Sequence, residues 1–373
     1  MRVVLGVVMV GACGFAPHAG APPGPGDGGP IDAPDARMVD GNDAMAANAR
    51  RKSITTVAGM VSGTLIDFPV WIDLTDTDIA ARAQTDGHDI YFTAADGTTR
   101  LDHQLRWDAG AHRLNAWVRV PTLKAATVIY VNYGDAGAAP NQNPPGVFKS
   151  SFAAVWHLDD ALPAATIAEA TGTHAGTPAL TTTTTTTGQL GGGLAFADSG
   201  DEITFINPLT GQTAHTISMW VKQPSVNHVS SMIVVGTGTT SHARWFYSHY
   251  TAATMACGFY ANDWTANNNI DTDTWTLLHW VYEGANGKNH LYKNGAEING
   301  SPQTLNGVNT TGTTGMIGHA PEPGFGNNMG LEGSIDEVRI ATTNRNAGWI
   351  STEYANQSSP GTFYTVGTEE LVP

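Results

Sequence analysis

Gly333-Ser334-Ile335-Asp336-Glu337-Val338-Arg339-Ile340 reads as a β-strand with an apolar set, Ile335, Val338 and Ile340, and a charged set, Asp336, Glu337 and Arg339. As strand neighbours, Asp336 and Glu337 are expected to point to opposite faces. Such a strand needs a layer on its apolar side. Upstream, back to about residue 150, short apolar and β-branched runs separated by Gly, Asn and Thr turns supply one. The chain has 43 glycines, is 41% hydrophobic and shows no long apolar run of helical period, so the expected class is all-β. Its 373 residues suggest two folded units plus tails. A formal net charge of -15 disfavours nucleic acid and anionic lipid as partners.

A first unit is expected over residues 50–140. Ile66-Asp67-Phe68-Pro69-Val70-Trp71-Ile72-Asp73-Leu74 alternates, with Ile66, Phe68, Val70, Ile72 and Leu74 on one face, and Pro69 marks an edge or a strand start. Further strands follow at Asp89–Thr93, His103–Trp107, Leu114–Val120 and Val128–Tyr133, with turn signals such as Ala95-Asp96-Gly97-Thr98 between them. Asp67-Phe68-Pro69-Val70, the run from Asp89 to Gly97, Ala116-Trp117-Val118-Arg119-Val120-Pro121 and Ile129-Tyr130-Val131-Asn132-Tyr133-Gly134 resemble a domain of unknown function, number 2341, common in secreted bacterial proteins. The resemblance implies a β-sandwich and no chemistry. Asp89, Asp96, Asp102 and His103 admit a metal-cluster reading, but at strand ends and turns aspartates are expected to cap backbone groups.

Residues 141–149 read as a linker, and a second unit is expected over 150–370. Thr181 to Thr187 is a threonine run expected as a loop. Asn344 to Asn356 reads as a short helix carrying Trp349, Ile350 and Tyr354, and Thr362 to Thr368 as a last strand. Trp156-His157-Leu158-Asp159, Thr173-His174-Ala175-Gly176, Thr216-Ile217-Ser218-Met219-Trp220-Val221-Lys222, Leu291-Tyr292-Lys293-Asn294-Gly295 and the 333–340 strand together resemble laminin-G-like, concanavalin A-like jelly rolls. The fold expected is therefore two β-sandwich domains, the second a jelly roll. The resemblance implies glycan or surface-ligand binding. It also implies a structural Ca2+ shared by Asp159 and Asp336, with Asp160 as a substitute for Asp159. The other reading of Asp336 is a pair with Arg339 or a turn cap.

Residues 1–13 read as an export signal. Arg2 precedes the apolar run Val3–Val10, which is too short for a bilayer span of about 20 residues. Val10-Gly11-Ala12-Cys13 resembles a bacterial lipobox, which implies acylation of Cys13, attachment to the membrane through lipid only, and a cell-envelope, outer-membrane address. An ordinary secretory signal cut elsewhere is the alternative. Residues 14–49, rich in Pro, Gly and Asp, read as a disordered tether. Cys257, in an apolar run, is expected to be a buried small hydrophobe.

Enzymatic motifs are missing. There is no Glu-x-Asp-x-Glu strand, no Gly-x-Ser-x-Gly, no HExxH and no P-loop. Binding without catalysis is the expectation, with an adhesion or spacer module as the alternative and a glycan hydrolase as a remoter one. For the ligand, Tyr260, Asn262, Asp263 and Trp264 combine aromatic rings with amide and carboxylate groups, a set suited to sugars. The turn-prone run around Trp264 is expected to be a loop with an exposed indole.

Overall fold

The structure is a computed structural model. It describes residues 49–373 except 136, 198–199, 226–227, 250–253, 286 and 321–328, and leaves out the side chains of residues 249, 267 and 269. Cys13, the signal and most of the tether lie outside the described residues. The described chain is all-β, arranged in four antiparallel sheets.

A six-stranded and a three-stranded sheet form the first sandwich. The larger is built on Arg50–Thr56, which pairs with Val128–Tyr133 on one side. Its other side takes two C-terminal strands, Tyr364–Val366 and Glu370–Leu371. The smaller sheet sets Arg113–Leu123 between Leu65–Thr75 and His103–Asp108. Phe68, Val70, Ile72 and Val118 pack against Ile54, Phe92 and Val131 in one core. The alternation expected from Ile66 holds only from Phe68 onward. Asp67 sits at φ 51° and drops out of a ladder whose register is otherwise unbroken; Leu65 rather than Ile66 is buried, and Ile66 is 56% exposed.

Nine- and seven-stranded sheets form the second sandwich. Ile335, Val338 and Ile340 join Trp156, Ile217, Met219 and Trp280 on one side of its core, against Ile233, Phe246, Cys257 and Phe259. The threonine run is not all loop. Thr184–Thr187 is an edge strand, and the amides of Thr181, Thr182 and Thr183 all donate to the Asp201 carboxylate.

The closing strand, Glu332–Ala341, organises the nine-stranded sheet. One edge pairs with His215–Lys222 along its length. The other edge takes Gly192–Ala197 over residues 332–335 and Phe152–Trp156 over residues 338–341. Between those two partners lie Asp336 and Glu337, and Glu337 adopts φ 54°. This left-handed residue is the extra one of a β-bulge. It corrects the expected alternation: Asp336 pairs with Trp220 and Arg339 with Ser218, so Asp336, Glu337 and Arg339 all leave the core side to Ile335, Val338 and Ile340.

The sequence divides the sandwiches near residue 150, with the chain's end in the second. The structure threads them together instead. The described residues fall in one compact unit. The helix Ala347–Ser358 starts at Asn346, whose side chain accepts the Trp349 amide at 2.9 Å. Trp349, Phe363 and Tyr364 then enter the first core. Asn356 acts as a strand partner for Trp71, accepting its N–H at 2.7 Å and donating to its carbonyl at 2.9 Å. Trp71 and Trp117 from the first sandwich meet Val155, Trp220 and Leu277 from the second in a shared apolar cluster.

Candidate functional site at the junction of the sandwiches

Register decides which side chains the three-stranded sheet turns away from its own core. Trp71 pairs with Trp117 and Trp117 with Gln104; Asp73 pairs with Asn115 and Asn115 with Arg106. Paired residues share a face, so two rows of such side chains front the second sandwich. Opposite stand His157, just past the opening strand Phe152–Trp156, and Glu337 from the bulge. Where the two faces part, they enclose a cavity of about 220 Å³ with Trp71 and Trp117, Gln104, Arg106, Asn115, His157, Asp159 and Glu337 in its wall.

Behind the cavity runs a line of buried charge. Glu337 Oε1 lies 2.7 Å from His157 Nδ1, and its Oε2 accepts from Arg339 Nη2 at 2.7 Å. Arg339 Nη1 donates to Glu353 Oε1 at 3.0 Å, and Glu353 Oε2 lies 3.1 Å from His279 Nε2. The Arg339 guanidinium also sits 4.3 Å from the centre of the Trp117 ring. Burial alone would raise the Glu353 carboxyl, but the hydrogen bond and charge of His279 and the charge of Arg339 bring it down to about 2. Burial pushes Glu337 up too, and His157 and Arg339 outweigh it and leave it lowered. Asp336 goes the other way: burial and the neighbouring Glu337 charge raise it, despite backbone N–H groups from Leu190 and Gln189.

The groups facing the cavity are less fully used. His157 Nε2 lies 3.0 Å from Gln104 Oε1, which leaves Gln104 Nε2 without a protein partner. Asn115 Nδ2 donates to Asp73 Oδ1 at 2.9 Å, which leaves Asn115 Oδ1 free. Arg106 and Asp159 form an ion pair from one sandwich to the other through Asp159 Oδ2. Free amide donors and acceptors beside a guanidinium and a carboxylate are what a polyhydroxylated molecule requires, since each hydroxyl both donates and accepts.

The residues expected to bind ligand are placed elsewhere. Asn262–Asn269 is a strand at the edge of the seven-stranded sheet, not a loop. Its neighbours therefore alternate. Trp264 pairs with Cys257 and packs half-buried against the core, whereas Asp263 is exposed and accepts from the Tyr247 hydroxyl. Asn262 donates to Ser241 Oγ at 3.1 Å and to the Asn306 carbonyl at 2.6 Å. Tyr260 packs with Trp245 and Tyr247. Asp263 and Trp264 therefore turn to opposite faces of the sheet, and the indole is half-buried rather than an exposed platform.

Asp159 and Asp336 both border the 188–193 turn. Asp159 is neutralised by Arg106, while Asp336 is wholly buried and takes the Leu190 amide at 2.9 Å on Oδ2. Asp336 Oδ1 has no partner, and a Cβ on Gly188 would come within 2.5 Å of Asp336 Oδ2, so the 188–193 turn is packed tightly there. Asp160 is held by the Ala168 amide at 3.0 Å. Ca2+ takes six to eight oxygens; among the described residues no group of three or more His, Cys, Asp or Glu side chains is gathered for a metal. Asp89 and Asp96 accept backbone amides and Asp102 pairs with Arg119.

Residues 197–351 match the concanavalin A-like lectin/glucanases superfamily, and residues 86–160 match the domain of unknown function 2341. The second match runs past the linker and contains the cavity's Gln104, Arg106, Asn115, Trp117, His157 and Asp159. No curated protein matches the chain. Among solved structures, domain 4 of AbnA, a GH43 extracellular arabinanase from Geobacillus stearothermophilus, in complex with arabinotriose, is 18% identical, with a TM-score of 0.42; the match covers 55% of this chain and 98% of that one. The botulinum neurotoxin serotype D ligand binding domain in complex with N-acetylneuraminic acid is 11% identical, with a TM-score of 0.43, over 57% of this chain and 52% of that one. The binding domain of botulinum neurotoxin DC in complex with rat synaptotagmin II is 12% identical, with a TM-score of 0.37, over 56% and 52%.

Proposed function

We propose that this chain is an exported, lipid-anchored binding protein that takes carbohydrate at the junction of its two sandwiches and does not transform it. One observation carries the reading: a polar cavity lined by Gln104 and Asn115, whose Nε2 and Oδ1 have no protein partner. The carboxylates at the cavity already have cationic or histidine partners, Asp159 with Arg106 and Glu337 with Arg339 and His157. Glycoside hydrolysis calls for a carboxyl that stays protonated to act as general acid, and the lowered Glu337 argues against that role.

A glycan array probed with the full-length protein tests the reading. At least one glycan should bind, and Gln104→Ala and Asn115→Ala should each weaken it by about tenfold, the effect of losing one good hydrogen bond. Hits that survive both substitutions unchanged would place the ligand elsewhere. The anchor rests on Val-Gly-Ala-Cys13 and the short apolar run before it. Cys13→Ser should move the protein out of the membrane fraction or leave it unprocessed, and undiminished membrane association of that variant would sink the anchor.

A further inference from the structure

We infer that the junction cavity accepts a single uncharged sugar ring and turns away acidic sugars, with Asp159 as the residue that sets this preference. The inference rests on the reading of the cavity as a sugar site and adds what that site selects.

Size gives the first half. The cavity, of about 220 Å³ and open on one side, gives room for one pyranose and its hydroxyls. Charge gives the second. Arg106 is matched by Asp159 across the junction, and Glu337 is held between His157 and Arg339. A sugar carboxylate entering here finds Asp159 and Glu337 already present and the cavity's guanidinium already engaged. It would lose water without gaining a cation, and an unpaired desolvated charge is costly. A hydroxyl meets no such penalty, because Gln104 Nε2 donates to it and Asn115 Oδ1 accepts from it. Asp159 is 35% exposed on its side chain and belongs to the second sandwich, whereas Arg106 rises from the first. Asp159 thus neutralises Arg106, a cation an acidic ligand would seek.

Ligand-observed NMR titrations of the full-length protein provide the test. The probes are D-glucose, D-galactose, D-mannose and L-arabinose against D-glucuronate, D-galacturonate and N-acetylneuraminate. The parent should bind a neutral sugar about tenfold or more tighter than any acidic one. Asp159→Asn frees Arg106 and should shift that ratio by about tenfold towards the acids, with an unchanged melting temperature as the control on folding. A parent that prefers an acidic sugar, or an Asp159→Asn variant with unaltered preference, overturns the selectivity while leaving the site in place. Neutral-sugar binding that is indifferent to Gln104→Ala overturns the site itself. Absence of binding by every probe overturns both.

Discussion

Glu353 shows how much the junction asks of one side chain. It lies on the helix Ala347–Ser358, is 4% exposed, and receives Arg339, His279 and Gln357. Its carboxyl is ordinary in an unfolded chain, at 4.5, and is brought to about 2 in the fold. Because the folded value is the lower one, the carboxylate's contribution is complete above about pH 4.5 and is lost as pH falls towards 2. A gap of that size corresponds to about 3 kcal/mol. Glu353→Gln should therefore be well below the parent in urea stability at pH 7, with the gap closing as the pH is lowered through that window. A gap that is constant with pH would show that the carboxylate contributes through packing alone. Trp264 is the contrasting residue: its sequence neighbours are polar, yet its inward register opposite Cys257 spends the ring on the core.

At the scale of elements, the closing strand was legible in outline. Its spacing of Ile335, Val338 and Ile340 departs from strict alternation by one residue, and that departure is the bulge at Glu337. What the pattern could not convey is that the charged side would be covered. Asp336, Glu337 and Arg339 are charged, and the second layer that buries them comes from a different part of the chain. The last strands were misplaced for a related reason. Tyr364–Val366 has the apolar pattern of any edge strand, and nothing local says which sheet receives it. Its partner is Arg50–Thr56, across the length of the described chain. This yields a prediction. Removing residues 359–373 takes two strands from that sheet and Phe363 and Tyr364 from its core. Truncating one buried aromatic costs about 3–5 kcal/mol, and whole domains are stable by only about 5–15 kcal/mol. The truncated protein should lose the dispersed amide signals of the first sandwich; a native-like spectrum would mean that the C-terminal strands are dispensable.

For the whole molecule, the all-β class was legible because it depends on strand-by-strand patterning, and the jelly-roll character of the second sandwich followed from its resemblance to laminin-G-like domains. The candidate site depends on docking, and docking leaves little local trace. Gln104 and Asn115 are ordinary outward residues of one sheet, and His157 closes a strand of another. Only the Trp71 and Trp117 side chains gave a hint, since two large aromatics on the outer face of a small sheet call for a cover.

The interleaving of the strands has one more consequence. Arg50 and Leu371 stand opposite each other in the same antiparallel ladder, at the roughly 5 Å spacing of such pairs. The described chain is therefore nearly a closed ring, whose order around the fold has no privileged starting point. A short peptide bridge between its ends would complete the ring without disturbing a single sheet, and an opening made in any exposed turn would give a permuted chain with the same neighbours.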